Sequence, residues 1–237
     1  MAWLDLPRRR LVPELMDGEP VPYEEFRECL RHLAGINRVS GAYRPTLRWL
    51  ERVAARHPEA RPLRVLDVGS GYGDMLRRIA GWARRTGRPV ELTGVDLNPW
   101  SAKAATEAAE PGEAIRYVTA DCFALPDHER PDVIISSLFT HHLDDPQLVR
   151  FLRWMEGRAR LGWFVNDLHR HAVPHRFVAA AVRVLPFNRL VVHDAPVSVA
   201  RSFTRRDWEG RLAEAGLAGQ AEVRWMLPFR LCVGRLR

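Results

Sequence analysis

From Leu63 onward the apolar residues fall in short, nearly unbroken runs: LRVLDV at 63–68, VELTGVD at 90–96, IRYVTAD at 115–121, DVIISSL at 132–138 and LGWFVND at 161–167. Such runs predict strands buried on both faces, as in a parallel sheet. Between them the spacing changes to three and four. After Asp74, Met75, Ile79, Trp82 and Ala83 share one face while Arg77, Arg78, Arg84 and Arg85 share the other, which predicts a crossover helix. Asn98 before Pro99, and Asp145 before Pro146, each put a capping side chain ahead of a proline suited to a first helical turn. Strand and helix in alternation predict an α/β, doubly wound architecture.

The flanks follow other patterns. Residues 1–22 are rich in proline and charge without a period, and are expected to form an arm. Phe26, Leu30, Leu33 and Ile36 predict a short helix broken by Gly35, Ser40 and Gly41. Pro45 then opens a second helix that buries Leu47, Leu50 and Ala54 and stops at Pro58. The expected organisation is a helical appendage over 1–60 and a core over 61–237. Within the core, 168–200 is less regular, with one helix predicted from Pro174 through Val184. Thr204 with Asp207 predicts a capped helix ending at Gly216. The runs AEVRWML and RLCVGRL, separated by Pro228 and Phe229, predict an antiparallel pair that closes a mixed sheet.

Composition narrows the function classes. A chain of 237 residues, 46% hydrophobic and 27% charged, has the length and balance of one folded domain with an appendage. Three scattered cysteines, Cys29, Cys122 and Cys232, provide neither a disulfide framework nor a C-x-x-C motif, so a reducing cytoplasm is expected. No apolar stretch approaches the ~18 residues of a membrane span, and the charged opening segment does not resemble a secretion signal. The net charge of +7 raises the question of nucleic acid. Lys103 is the only lysine and the arginines are spread through every segment beside Asp and Glu, so a nucleic-acid partner is not expected.

The chemistry concentrates in VLDVGSGYGD at 65–74, where a buried strand runs into Gly69, Ser70, Gly71 and Gly73 before a helix. Glycines at alternate positions let backbone approach a ligand closely. The flanking Asp67 and Asp74 would repel a pyrophosphate, so the G-x-G-x-G loop suits a ligand with a cation at this end. The pattern resembles the first motif of class I S-adenosylmethionine-dependent methyltransferases, a likeness that runs from about residue 62 to the C-terminus. It implies a Rossmann-like, seven-stranded, mostly parallel sheet whose last strand is antiparallel, with S-adenosyl-L-methionine as cofactor. By the same resemblance, Asp67 and the loop hold the amino-acid end, Asp96 takes the ribose hydroxyls and Leu97 packs on adenine. Asp121 accepts from the adenine amino group beside Cys122. Ser137 and Arg38 complete the expected cofactor set, with Arg38 or Tyr43 closing over the methionine end. Three acids at the C-terminal ends of three successive strands lie where α/β ligands bind, which points to a site.

The fourth run continues SSLFTHHLDD, without the Asn/Asp-Pro-Pro-aromatic motif of amino-methylating nucleic-acid enzymes or the cysteine of cytosine C5 enzymes. The remaining resemblance is to small-molecule methyltransferases of the quinone and polyketide-tailoring kind. It implies transfer to a phenolic, quinone or polyketide hydroxyl under a lid formed by 23–57 and 168–200. A hydroxyl with a pKa of ~10 needs a base, and His142 is expected in that role, with His141 and His169 next. His171 and His175 have H-x-x-x-H spacing, but Pro174 interrupts it and no metal site is expected. The alternatives are an RNA-directed methyltransferase and a cofactor-binding regulatory protein without turnover.

Overall fold

The computed structural model describes residues 6, 8–18, 21–126 and 130–237. Seven strands form one sheet in the order β3-β2-β1-β4-β5-β7-β6. They are β1 (Leu63–Val68), β2 (Val90–Asp96), β3 (Ile115–Thr119), β4 (Val133–Ser137), β5 (Gly162–Leu168), β6 (Glu222–Met226) and β7 (Arg230–Leu236). The first five run parallel, and β7 is antiparallel to both β5 and β6. All five apolar runs become strands because helices cover both faces of the sheet, leaving no polar side to impose alternation.

The first helices in the chain are α1 (Leu15–Gly18), α2 (Tyr23–Val39) and α3 (Arg44–Arg56). The crossovers use α4 (Asp74–Thr86), α5 (Pro99–Glu107) and α6 (Asp145–Arg158), followed by α7 (Ala172–Val184), α8 (Arg189–Arg201) and α9 (Arg205–Glu214). Two apolar cores result. On one face Phe151, Trp163, Phe203 and Trp208 pack with Ile134 and Val165. On the other, Trp49, Leu50 and Val53 of α3 join Leu76, Ile79 and Trp82 of α4 against Val65, Val133 and Ile135. Among the described residues, no helix is long and apolar enough to cross a membrane.

Several predicted boundaries move. Gly35 does not break α2, which continues to Val39, because a single helical glycine costs only ~1 kcal/mol. In α3 the buried positions are Pro45, Thr46, Trp49, Leu50 and Val53, with Leu47 and Ala54 only partly covered. The cap of α6 is Asp144, not Asp145; its side chain accepts from Gln147 N, and Gln147 answers on the Asp144 N–H. The stretch 168–200 holds two helices packed on each other, and α8 was hidden by Pro196 in its interior.

Candidate active site

The loop after β1 is built from backbone bonds and glycine geometry. Gly69 N and Ser70 N donate to Val95 O at 2.9 and 3.2 Å, and Gly73 N donates to Ser70 O at 2.8 Å, which folds the loop over the end of β2. Gly69 and Gly73 have φ of +70° and +69°. A Cβ at Gly69 would strike the Phe139 ring at 2.6 Å, and one at Gly73 would strike the Tyr117 ring. Gly71, at φ +48°, meets only Leu30 of α2, at 3.8 Å, so its backbone faces a gap. Asp67 lies at the floor, buried, and its Oδ1 has no hydrogen-bond partner. Burial, then the nearby charges of Asp74 and Asp96, pushes the Asp67 carboxyl well above the usual range. Ser137 Oγ, at the end of β4, is likewise buried without a partner. Unpartnered buried polar atoms are costly, and here they border a loop whose backbone leaves room. An ammonium group would satisfy Asp67.

Asp96 ends β2 with Oδ2 accepting from Gly71 N at 2.8 Å and Oδ1 accepting from Asn98 N at 3.0 Å. The Ser101 hydroxyl also bonds the carboxylate, so three of its four lone-pair sites are engaged and one is left for a ribose hydroxyl. Burial raises its pKa, a shift partly offset by the Asn98 and Gly71 N–H donors and by Ser101. Leu97 beside it is 75% exposed, as a surface for a planar ring must be. Asp121 Oδ1 accepts from Phe123 N at 2.9 Å and starts the short turn holding the buried Cys122, whose thiol is pushed up to about 12 by burial. Arg38 is exposed on the last turn of α2 and has no hydrogen bond or ion pair to a site residue among the described residues. Tyr43 is buried, its hydroxyl 2.7 Å from Asp74 Oδ2, so it braces the loop from beneath.

The histidines after β4 are committed to carboxylates. His141 is buried, with Nδ1 at 2.8 Å from Asp167 Oδ1, while its N–H and Thr140 Oγ1 both donate to Asp167 Oδ2. Asp167 is held at about 2: burial alone would raise it, but the His141 and Thr140 contacts outweigh that. His142 Nδ1 stands 2.6 Å from Asp17 Oδ2 in the N-terminal arm. Burial pulls His142 down, but the Asp17 bond and the Glu14 charge reverse this and leave it raised. Both rings are therefore held through Nδ1 by an acid, which leaves Nε2 of each facing Glu14. His169 differs: its Nδ1 is buried without a partner, and burial and then the neighbouring His171, Arg170 and Arg205 lower its pKa. A cleft of about 370 Å³ elsewhere, between α3 and the β6–β7 edge, is lined by Trp49, Arg52, Phe164 and Arg224 and includes none of these residues.

Residues 65–162, from the first strand through the fourth and its crossover, match a family model described as a methyltransferase domain. The chain has the fold of methyltransferase domains. It is structurally similar to the plantazolicin methyltransferase BpumL in complex with SAH, with a TM-score of 0.64 at 13% identity, covering 90% of this chain and 96% of that one. Magnesium protoporphyrin IX methyltransferase from Synechocystis PCC 6803 with bound SAH matches at a TM-score of 0.56 and 13% identity, covering 94% and 90% of the two chains. No curated protein sequence matches the chain.

The structure thus gathers Asp67, Gly69, Ser70, Gly71, Gly73, Asp96 and Ser137 around one loop, with Leu97 following Asp96. Sequence reasoning missed Glu14 and Asp17, which meet the histidine pair from the arm. Both lie in a segment without hydrophobic period. Their placement depends on long-range bonds: Asp194 of α8 accepts from Leu15 N and Met16 N, and Arg201 donates to Val12 O.

Proposed function

We propose that this chain binds S-adenosylmethionine at the Gly69–Gly73 loop and transfers its methyl group to a small-molecule hydroxyl. The carrying observation is the buried, unpartnered Asp67 Oδ1 at the floor of that loop. Asp67 would hold the amino group, Asp96 a ribose hydroxyl, Leu97 the adenine face and Asp121 the adenine amino group. When bound, the cofactor supplies an electrophilic methyl on a sulfonium, open to in-line displacement. The chain's part is to position the acceptor and take its proton, and positioning is the larger contribution. For a phenolic or enolic acceptor, His169 is the group that takes the proton, since its Nδ1 has no hydrogen-bond partner, whereas Nδ1 of His141 and of His142 is held by an acid.

The elements that would cover the acceptor are α2, α7 and α8. Helix α2 packs on α5 and α8, and Phe26 and Leu30 reach Ala104 and Tyr72 over the glycine loop. Screening phenols, hydroxyquinones and amines with methyl-labelled cofactor tests the reading. Label transfer to a hydroxyl supports it, whereas cofactor binding with no transfer to any acceptor favours a regulatory protein.

A further inference from the structure

The arm residue Glu14 and the two histidines after β4 form a cluster that the cofactor site does not use. His141 Nε2 is 3.6 Å from Glu14 Oε1, and His142 Nε2 is 3.8 Å from Glu14 Oε2. The Glu14 and His141 side chains are 2% and 3% exposed, that of His142 23%. One ligand atom from each of the three lies within 4.8 Å of the others. These separations exceed a hydrogen bond. Ligands ~2.0–2.2 Å from a shared tetrahedral ion stand about 3.3–3.5 Å apart, so ion binding would draw each imidazole a few tenths of an ångström towards Glu14 and the two imidazoles towards each other.

The surroundings orient the two imidazoles towards Glu14. Both imidazoles present Nε2 to one carboxylate while Nδ1 is held by another, Asp167 for His141 and Asp17 for His142. That carboxylate–histidine arrangement fixes the tautomer and makes Nε2 the ligand atom. Glu14 is itself fixed, with Oε1 accepting from Ser198 Oγ at 2.8 Å and the following two N–H groups bound by Asp194. Arg201 turns its guanidinium to the carbonyls of His141, His142 and Val12, and Arg9 also donates to His141 O, so both cations face the backbone and neither occupies the space between Glu14 and the two Nε2 atoms. Three carboxylates, Glu14, Asp17 and Asp167, face the two imidazoles.

We propose that Glu14, His141 and His142 bind one divalent transition-metal ion of the zinc class, which ties the N-terminal arm to the end of β4. Two imidazoles and one carboxylate select zinc, cobalt or nickel over magnesium, which prefers oxygen and water. The partly exposed His142 side leaves a fourth position open. His141 lies two residues beyond Phe139, whose ring packs against Gly69, so the ion stands beside the cofactor loop. Any role of that open position toward an acceptor oxygen rests on the methyl-transfer reading; the ion site itself does not.

The test uses the full chain. Metal content after purification in metal-free buffer is measured by plasma mass spectrometry, and Zn²⁺ is then titrated calorimetrically into chelator-stripped protein. One equivalent should bind, with Mg²⁺ failing to compete. Glu14→Gln and His142→Ala should each lower Zn²⁺ affinity at least 100-fold, and Asp17→Asn about 10–100-fold. Zn²⁺ should raise the melting temperature of the wild type but not of Glu14→Gln. Unchanged affinity for S-adenosylhomocysteine in Glu14→Gln reports an intact core and separates this result from failure of the cofactor reading. Absence of a stoichiometric Zn²⁺ site in the wild type, or Zn²⁺ affinity unaltered by Glu14→Gln, would overturn the proposal and leave the cluster as an ion-pair clasp.

Discussion

Asp67 is a buried carboxylate whose Oδ1 has no partner and whose neighbours, Asp74 and Asp96, are also acids. Its folded pKa is raised, so its contribution to stability is present when it is protonated and is lost as pH rises through the folded value. The ligand-free wild type should gain stability as pH falls from 7 towards 5, and that gain should be smaller in Asp67→Asn. The same variant should be more stable than wild type at pH 7 yet bind cofactor more weakly. Melting curves and titration calorimetry measure both, and loss of stability together with unchanged affinity would assign Asp67 a purely structural role. Asp96→Ala removes the carboxylate that would accept from the ribose, at ~1–3 kcal/mol for a lost hydrogen bond, so cofactor affinity should fall about tenfold. Because Asp96 also holds Gly71 N and Asn98 N, circular dichroism must confirm that the fold persists. If His169 takes the acceptor's proton, His169→Ala should cut turnover ~10²–10⁴-fold with cofactor affinity nearly unchanged, and phenols of lower pKa should recover part of the rate. Equal losses for acidic and ordinary phenols would give His169 a packing role. The glycine loop and its acids were legible from sequence because their chemistry is local, spread over consecutive strand ends. The commitment of His141 and His142 was not, since it depends on Glu14 and Asp17 folding back from the arm.

At the scale of elements, α3 changes the view of where the appendage ends. Trp49 stacks on Phe164 of β5 at 5.3 Å between ring centroids, and Leu50 and Val53 are fully buried in the core that covers one sheet face. Helix α3 is therefore part of the sandwich, and the removable cover is the arm with α2. Deleting residues 1–41 should preserve a cooperative melt while reducing turnover, whereas deleting 1–60 should abolish the cooperative melt by uncovering Phe164 and Val133. A cooperative melt in the longer deletion would show that α3 is dispensable. Trp49→Ala alone should cost ~3–5 kcal/mol, the usual range for emptying a large aromatic site. Strand positions were read closely because unbroken apolar runs admit few alternatives inside a two-faced sheet. Helix α8 was missed for a physical reason: Pro196 has no N–H to donate, yet the helix continues because it packs on α7 and its Asn188 cap receives Val191 N.

Over the whole molecule, the order β3-β2-β1-β4-β5-β7-β6 puts the topological switch between β1 and β4, where the chain leaves the centre of the sheet in both directions. Ligands of open α/β sheets bind in that crevice, and it is where Asp67, Asp96 and Ser137 converge. The opposite end of the sheet is held by Asp132, a buried acid at the start of β4 that accepts from Arg61 through both oxygens and from Arg64 N. Burial opposes its charge, but those donors prevail and depress its pKa, so its stabilisation is present above the ordinary carboxylate value and lost as pH falls through its lower folded value. The destabilisation caused by Arg61→Ala should accordingly be larger at pH 7 than in acid, as urea denaturation can show. The central claim is that the crevice at the switch point holds S-adenosylmethionine, and calorimetric titration of the full chain tests it most directly. The predicted result is 1:1 binding of S-adenosylmethionine and S-adenosylhomocysteine, weakened by Asp96→Ala. Tight binding of NAD with no response to either of those ligands would contradict it.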